Sequence, residues 1–277
     1  MRTVRRRQRP GAARAAVDGM KLHRRSMVLA GRPRTVVTLR PGTAVRFSTN
    51  LFHGTWHVLS DRHGARLLGR LLWGLSYQSR PGTVVVIDRE FVTTTPFDGD
   101  PADPIVLVPA WDTPFTVRHA RALKARLPRA SAPDGTVRWR THGLDAALAD
   151  PRAWFRKHDD PDDPLRGRVE NLNGLVVLRV HTPHEMREWA VLSGMLDPHN
   201  RYGMDYSYLG EGMCFYASGE VQVFRDFHRD VSVARRARAD VVARLAEPVA
   251  PADLRPLVWD RADLLKRRPD RAVGTRT

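Results

Sequence analysis

The chain has 277 residues, one cysteine and a formal net charge of +16. The single Cys214 excludes an internal disulfide framework and a metal cluster built from cysteines. No apolar run approaches the roughly 20 residues that a membrane span needs, and the arginine-rich N-terminus lacks the apolar segment of a secretory signal. We therefore expect a cytoplasmic protein in a reducing setting, without a membrane partner.

The positive charge lies mainly at the two ends of the chain. Residues 1–34 hold 11 arginines or lysines against one acidic residue, whereas residues 35–259 hold 29 against 26. A basic tail can contact nucleic acid or an acidic partner through salt-sensitive interactions. The alternatives are a solvated tail or a native start at Met20 or Met27. Only four of the 46 basic residues are lysine, a skew that GC-rich codons produce.

Composition also predicts the domain organisation. Residues 1–33 combine high charge with little to bury, which predicts a disordered tail. Residues 34–247 are predicted to form one α/β domain, with a subdivision near 150–165, where the run 158–164 is acidic and broken by proline. We interpret that run as an exposed connector, with a metal loop as the alternative. Residues 248–277 are predicted to be a proline-broken basic tail.

Residues 35–48 hold two β-branched runs around an Arg-Pro-Gly turn, which predicts a hairpin. The stretch 56–88 then predicts a strand, a helix capped by Asp61 with one leucine-rich face, and a second strand at 83–87. That second strand is apolar throughout, so we expect both of its faces to be covered, as in parallel sheets. We interpret the stretch as a right-handed crossover within one sheet.

Further elements follow the same plan. Apolar strands are predicted at 105–109 and 175–180, and each precedes a Thr-Pro helix start, at Thr113 and at Thr182. The repeated order of strand, polar residue, Thr-Pro and helix suggests a duplication. A three-stranded antiparallel meander is predicted over 204–227 and a helix over 231–245. The fold class is thus α/β or α+β, with a mixed sheet, parallel-type core strands, crossover helices and a C-terminal antiparallel meander.

Polar side chains follow the apolar strands. In open parallel sheets, ligands bind at the carboxyl ends of the strands. If the strands are parallel neighbours, the side chains would converge at one edge and could hold Mg²⁺ or Mn²⁺ for phosphoester hydrolysis, with Glu185 as ligand or proton acceptor. The alternative is that each aspartate caps the next helix. The candidate metal ligands are Asp61, Asp88 and Asp112, and the candidate catalytic residues are Asp88, His181 and Glu185.

A short motif gives a further hypothesis. Phe52-His53-Gly54-Thr55 is similar to the H-G-T strand of NAD-binding ADP-ribosyltransferases and tRNA 2′-phosphotransferases, and residues 73–79 resemble the tyrosine element of that family. The similarity covers two fragments within one third of the chain. It implies NAD-dependent chemistry that involves His53 and Tyr77, although no catalytic glutamate can be assigned.

The sequence thus leaves three functions open. It has no G-x-G-x-x-G motif after a strand, no Walker A loop and no G-x-S-x-G elbow, which disfavours common nucleotide-binding and serine-hydrolase folds. The first hypothesis is a cytoplasmic accessory or interaction protein without established catalysis. The alternatives are a Mg²⁺- or Mn²⁺-dependent phosphoesterase or nuclease, and NAD-dependent ADP-ribosyl transfer.

Overall fold

A computed structural model describes residues 19–129, 132–158, 167–199, 201–210, 217–245, 247 and 249–267. The strands in these ranges are β1 (Gly19–Leu29), β2 (Arg32–Thr38), β3 (Phe47–Phe52), β4 (Thr55–Ser60), β5 (Thr83–Ile87), β6 (Ile105–Pro109), β7 (Gly135–Arg140), β8 (Arg168–Asn171), β9 (Val176–Val180), β10 (Met204–Leu209) and β11 (Gly219–Phe224). The helices are α1 (Arg62–Ser76), α2 (Val117–Arg126), α3 (Leu144–Ala149), α4 (Pro151–His158), α5 (Pro183–Gly194), α6 (Phe227–Val242) and α7 (Pro251–Arg267).

The strands form two mixed sheets. The first sheet has the order β7-β1-β2-β5-β6-β9-β8, and the second has the order β10-β11-β4-β3. In the first sheet, β2 and β5 are parallel, β5 and β6 are antiparallel, and β6 and β9 are parallel. In the second sheet, β4 and β11 form the parallel pair. The mixed α/β class expected from the sequence is therefore confirmed.

Helices α1 and α5 pack against each other between the two sheets. The main core combines their buried faces with inward residues of both sheets, such as Val85 and Leu178 of the first and Val58 and Val221 of the second. Because side chains alternate along a strand, Val84, Val86 and Val106 point to the opposite face, which α2 covers. The apolar strands β5, β6 and β9 are thus covered on both faces, as their composition predicted.

The strand pairing repeats within the chain. Each half contains an antiparallel hairpin in one sheet, a helix that crosses to the other sheet, an antiparallel pair there and a helix on the outer face. The first half is β3-β4-α1-β5-β6-α2, and the second is β8-β9-α5-β10-β11-α6. The parallel pairs β6–β9 and β4–β11 join the halves. This repeat relates β6 to β11, so it differs from the Thr-Pro repeat of the sequence, which compared β6 with β9.

Several local predictions need correction. The stretch 56–88 is not a crossover within one sheet, because β4 lies in the second sheet and β5 in the first. Residues 35–48 do not form a hairpin, since β2 and β3 also lie in different sheets. The helix predicted from Thr113 begins at Val117, while the Thr113 hydroxyl accepts a hydrogen bond from the Gly82 amide (2.9 Å).

Parts of the two predicted tails belong to strands and a helix. Residues 19–33 contribute β1 and the start of β2, which pair through a tight turn, so a tail boundary at residue 33 is wrong. The prediction for residues 1–18 lies outside the described residues. Near the C-terminus, α7 packs against α6 through Leu254, Val258 and Ala262. The predicted meander gives one antiparallel pair, β10–β11, and its middle strand falls largely on residues 211–216, outside the described ranges.

Candidate functional site

The strand-end residues do not converge as the sequence suggested. Asp61 follows β4 of the second sheet, whereas the other three candidates follow strands of the first sheet. Because β5 and β6 run antiparallel, Asp88 and Asp112 lie at opposite ends of the strands of that sheet. Asp112 and His181 lie at the same end of the sheet, since β6 and β9 are parallel neighbours. The expectation of parallel neighbours with one common rim is therefore wrong for Asp61 and Asp88.

Each aspartate instead accepts a hydrogen bond from a residue one to three positions further along the chain. Asp61 caps α1 by accepting a hydrogen bond from the Gly64 amide (2.7 Å), and its other oxygen lies 3.3 Å from Nε2 of His228. Asp88 accepts from the Glu90 amide (3.1 Å), and Asp112 accepts from the Thr113 hydroxyl (2.6 Å). Within the described part of the chain, no group of three or more His, Cys, Asp or Glu side chains is placed to hold a metal ion.

Glu185 anchors the chain around α5. Its side chain is 2 % exposed, and its two carboxylate oxygens accept hydrogen bonds from the Gly167 amide (2.7 Å) and the His181 amide (3.1 Å). The Glu185 amide in turn donates to the Thr182 hydroxyl (3.0 Å), which is the helix cap predicted from the sequence. These contacts occupy both oxygens, so the geometry gives Glu185 a structural role.

The residues of the ADP-ribosyltransferase resemblance lie in different settings. His53 and Gly54 form the tight β3–β4 turn, with φ values of 50° and 83°, and both are exposed. Tyr77 is the C-cap residue of α1 and its side chain is exposed. The H-G-T segment is thus a turn followed by the start of β4.

The outer face of the second sheet carries a row of polar side chains that the sequence reasoning missed. Asn50 of β3 pairs in register with His57 of β4, His57 with Glu220 of β11, and Glu220 with Tyr208 of β10. Since cross-strand neighbours lie about 4.5–5.5 Å apart, the side chains of this row are brought into contact. His57 and Glu220 are 5 % and 7 % exposed, so the sheet holds an imidazole and a carboxyl group away from water.

Burial shifts the pKa values of the two groups in opposite directions. Desolvation and the charge of His53 lower the pKa of His57 to about 4, so its imidazole is neutral at pH 7. Desolvation raises the pKa of the Glu220 carboxyl, and the hydrogen bond from Gln222 partly opposes that rise. The His57 Nδ1 atom lies 3.1 Å from Asn50 Oδ1, and Nε2 lies 3.6 Å from Glu220 Oε2. The pair is therefore a polar contact with a neutral imidazole.

Gln222 is the next polar residue on this face, and one of its two polar atoms has no hydrogen-bond partner among the described residues. Its Nε2 donates to Glu220 Oε1 (2.5 Å). Its Oε1 atom is buried and has no hydrogen-bond partner among the described residues. A buried acceptor without a partner costs about 1–3 kcal/mol, and a ligand that donates a hydrogen bond would remove that cost.

A loop and two helices build the opposite wall. Asp98, 6 % exposed, accepts from Arg255 Nε of α7 (2.9 Å) and from the Thr95 hydroxyl. Asp100 pairs with Arg238 Nη1 of α6 (2.5 Å), and burial beside Asp98 raises the pKa of the Asp100 carboxyl. These ion pairs tie the loop to α6 and α7, which holds α7 over the sheet.

Between the sheet and α7 lies a cavity of about 230 Å³, which we name the outer-face pocket. Its polar lining residues are Asn50, His57, Asp98, Gln222 and Arg255, and its apolar lining residues are Phe52, Phe97, Met204 and Trp259. At about 30 Å³ per water molecule, this volume corresponds to roughly eight waters. It is below the volume of about 300–1,000 Å³ that is usual for sites of drug-sized ligands. The pocket therefore suits a compact ligand of about one ring.

Part of this site was visible in the sequence. The alternation in Gly-Glu-Val-Gln-Val-Phe predicts that Glu220 and Gln222 share one face of a strand, opposite Val221 and Val223. The pairing of this strand with β4, and its cover by α7, depend on contacts between distant parts of the chain. No local pattern records those contacts.

The class of protein that these features define is a two-sheet α/β domain with a small buried pocket on its outer face. No family model, curated protein or solved structure matches the chain. Among the described residues, no helix has both the length and the apolar character that crossing a membrane requires. The basic segments expected to contact nucleic acid or an acidic partner lie partly outside the described ranges, and that contact stays a prediction.

Proposed function

We propose that this protein binds a compact, largely apolar small molecule that carries a hydrogen-bond donor, in the outer-face pocket. The observation that carries the proposal is the buried Gln222 Oε1 acceptor, unpaired among the described residues, at a pocket whose apolar lining is mostly aromatic. Apolar pockets with a few convergent polar groups and shifted pKa values are the usual form of ligand sites.

The polar groups favour a neutral donor over an anion. Gln222 offers an acceptor, the neighbouring Glu220 is a carboxyl group, and the Arg255 guanidinium is already paired with Asp98. A carboxylate ligand would place a second acid beside Glu220 without satisfying Gln222. A primary amide or an aromatic amine would donate to Gln222 while its ring packs among Phe52, Phe97 and Trp259.

Benzamide and benzoate test this choice because they share a ring and differ in the polar group. We expect benzamide to raise the melting temperature of the full chain, since a ligand that binds only the folded state stabilises it. Benzamide should bind about tenfold more tightly than benzoate by isothermal titration calorimetry, a difference of about 1.4 kcal/mol. Equal affinity for both probes would contradict the assigned polarity.

Gln222→Met provides the matched variant, because methionine keeps the length of the side chain and removes the acceptor. We expect benzamide to bind Gln222→Met about 2- to 10-fold more weakly, as loss of one hydrogen bond predicts. Gln78→Met is the control, since Gln78 lies after α1 and outside the pocket lining. If both variants bind benzamide like the wild type, the pocket is not the site.

The proposal agrees with one of the three functions suggested by the sequence and leaves the other two without support from the pocket. A ligand-binding protein agrees with an accessory role without catalysis, and the single Cys214 supports a cytoplasmic setting. A metal-dependent phosphoesterase gains no support from the strand ends, because Asp61 and Asp88 lie apart from Asp112 and His181. ADP-ribosyl transfer stays a prediction, and nicotinamide is a useful third probe because it is also an aromatic amide.

A further inference from the structure

A second concave surface, which we name the aromatic cleft, lies at the C-terminal end of α1. Its volume is about 550 Å³ and it opens to solvent. Its lining includes three aromatic residues, a histidine and two basic side chains of α4 and α5, which are Trp73, Tyr77, Trp154, His158, Lys157 and Arg187. It shares no lining residue with the outer-face pocket, so the two surfaces can be tested separately.

The aromatic rings form a connected group. The Trp73 and Trp154 ring centroids are 6.1 Å apart, and the Trp73 and Tyr77 centroids are also 6.1 Å apart. His158 stacks on Trp154 with a centroid distance of 4.6 Å and an interplanar angle of 19°. Tyr77 is 59 % exposed at the edge of the cleft. Trp73 is buried and His158 already stacks on Trp154, so the exposed Tyr77 ring provides the surface on which a planar group can stack.

The basic side chains of the cleft favour an anionic ligand over a cationic one. Aromatic groups of this size also bind quaternary ammonium ions, but such a cation would be repelled by Lys157 and Arg187. The Arg187 guanidinium already lies over the Tyr77 ring, 5.4 Å from its centroid. The lining carboxylate, Asp150, is engaged as an acceptor for the Ala153 amide at the start of α4 (2.9 Å). The described lining therefore favours an anion attached to an aromatic ring.

We propose that the aromatic cleft binds a nucleotide unit, with the base stacked on the exposed Tyr77 ring and the phosphate near Lys157 and Arg187. Bases stack on aromatic side chains irrespective of sequence, and guanidinium groups pair with phosphate through charge-assisted hydrogen bonds. The unit is either a free mononucleotide or an unpaired nucleotide of a single strand, because both present the same base and phosphate. This proposal does not depend on the ligand of the outer-face pocket.

The test measures binding of AMP, adenosine, ribose 5-phosphate and a single-stranded adenosine pentanucleotide to the full chain by calorimetry. We expect AMP to bind more tightly than either adenosine or ribose 5-phosphate, because each of these lacks one half of the recognised unit. The affinity should fall with added salt, as phosphate contacts require. A pentanucleotide that binds while AMP does not would identify a strand as the source. Ribose 5-phosphate that binds as tightly as AMP would overturn the stacking part and with it the proposal.

Two substitutions locate the site. Tyr77→Leu should weaken AMP binding by about 5- to 100-fold, the range for loss of one stacked base. If only the pentanucleotide binds, its affinity should fall by the same factor. Tyr77→Phe should retain it. Arg187→Gln should weaken binding and reduce its salt dependence, whereas Arg121→Gln, an exposed position on α2, should change neither. Tyr202→Leu is the aromatic control, because the Tyr202 side chain is 83 % exposed and does not line the cleft. If Tyr77→Leu and Tyr202→Leu have equal effects, or if no probe binds, the proposal is wrong.

Discussion

Gly69 of α1 lies against Ala190 of α5 where the two central helices cross. A Cβ atom placed on Gly69 would lie 2.6 Å from the Ala190 carbonyl oxygen and 3.3 Å from the Cα of Gly194. The backbones therefore approach so closely that only glycine fits at residue 69. Because α1 and α5 are the equivalent helices of the two halves, this contact joins the halves at their centre.

We predict that Gly69→Ala destabilises the protein by about 1–3 kcal/mol, the usual cost of overpacking a core. The sign is informative, since alanine in place of glycine inside an exposed helix would stabilise by about 1 kcal/mol. Urea unfolding followed by circular dichroism measures the change. Gly135→Ala is the control, because its nearest contact would be 3.5 Å away, at a side-chain nitrogen of Arg24. A stabilised Gly69→Ala variant would show that the helices do not cross at this distance.

His57 predicts a pH dependence of stability. Its folded pKa of about 4 lies below the ordinary value of 6.5, so between these values the unfolded chain binds a proton that the folded chain does not. The free energy of unfolding should therefore fall as the pH is lowered from 6.5 to 4, and the contribution of His57 amounts to about 3 kcal/mol.

His57→Gln isolates that contribution because glutamine does not titrate. We expect the difference in unfolding free energy between wild type and His57→Gln to change by about 3 kcal/mol across this pH range, as measured by urea unfolding at several pH values. His63→Gln is the control, since His63 is exposed on α1. A constant difference between wild type and His57→Gln would contradict the burial of a neutral imidazole.

Substitutions of Glu185 test whether its role is structural. We predict that Glu185→Ala lowers the free energy of unfolding by at least about 2 kcal/mol, because the amides of Gly167 and His181 lose their acceptors. Glu185→Gln should have a smaller effect, since one carbonyl oxygen remains. His181→Ala should change stability by less than about 1 kcal/mol, because the His181 contact with Glu185 uses the backbone amide. Thermal and urea unfolding measure all three, and an unchanged Glu185→Ala variant would contradict the anchoring role.

The sequence by itself determined three buried strands and two helix caps. The apolar runs at 83–87, 105–109 and 175–180 predicted strands covered on both faces, and the structure has β5, β6 and β9 there with both faces buried. The caps at Asp61 and Thr182 were also predicted correctly. Such features depend on side chains that contact their own neighbours in the chain, so the local pattern is sufficient to specify them.

Tertiary structure decided which strands are neighbours, in which direction they run and what covers them. An apolar run has the same composition in a parallel or an antiparallel pair, and for this reason the sequence could not show that β5 and β6 are antiparallel and separate Asp88 from Asp112. In the same way, His57 and Glu220 are ordinary polar residues of two remote strands until the β4–β11 pairing and the packing of α7 remove them from water. Burial is a property of the assembled layers, and the chemistry of the outer-face pocket follows from it.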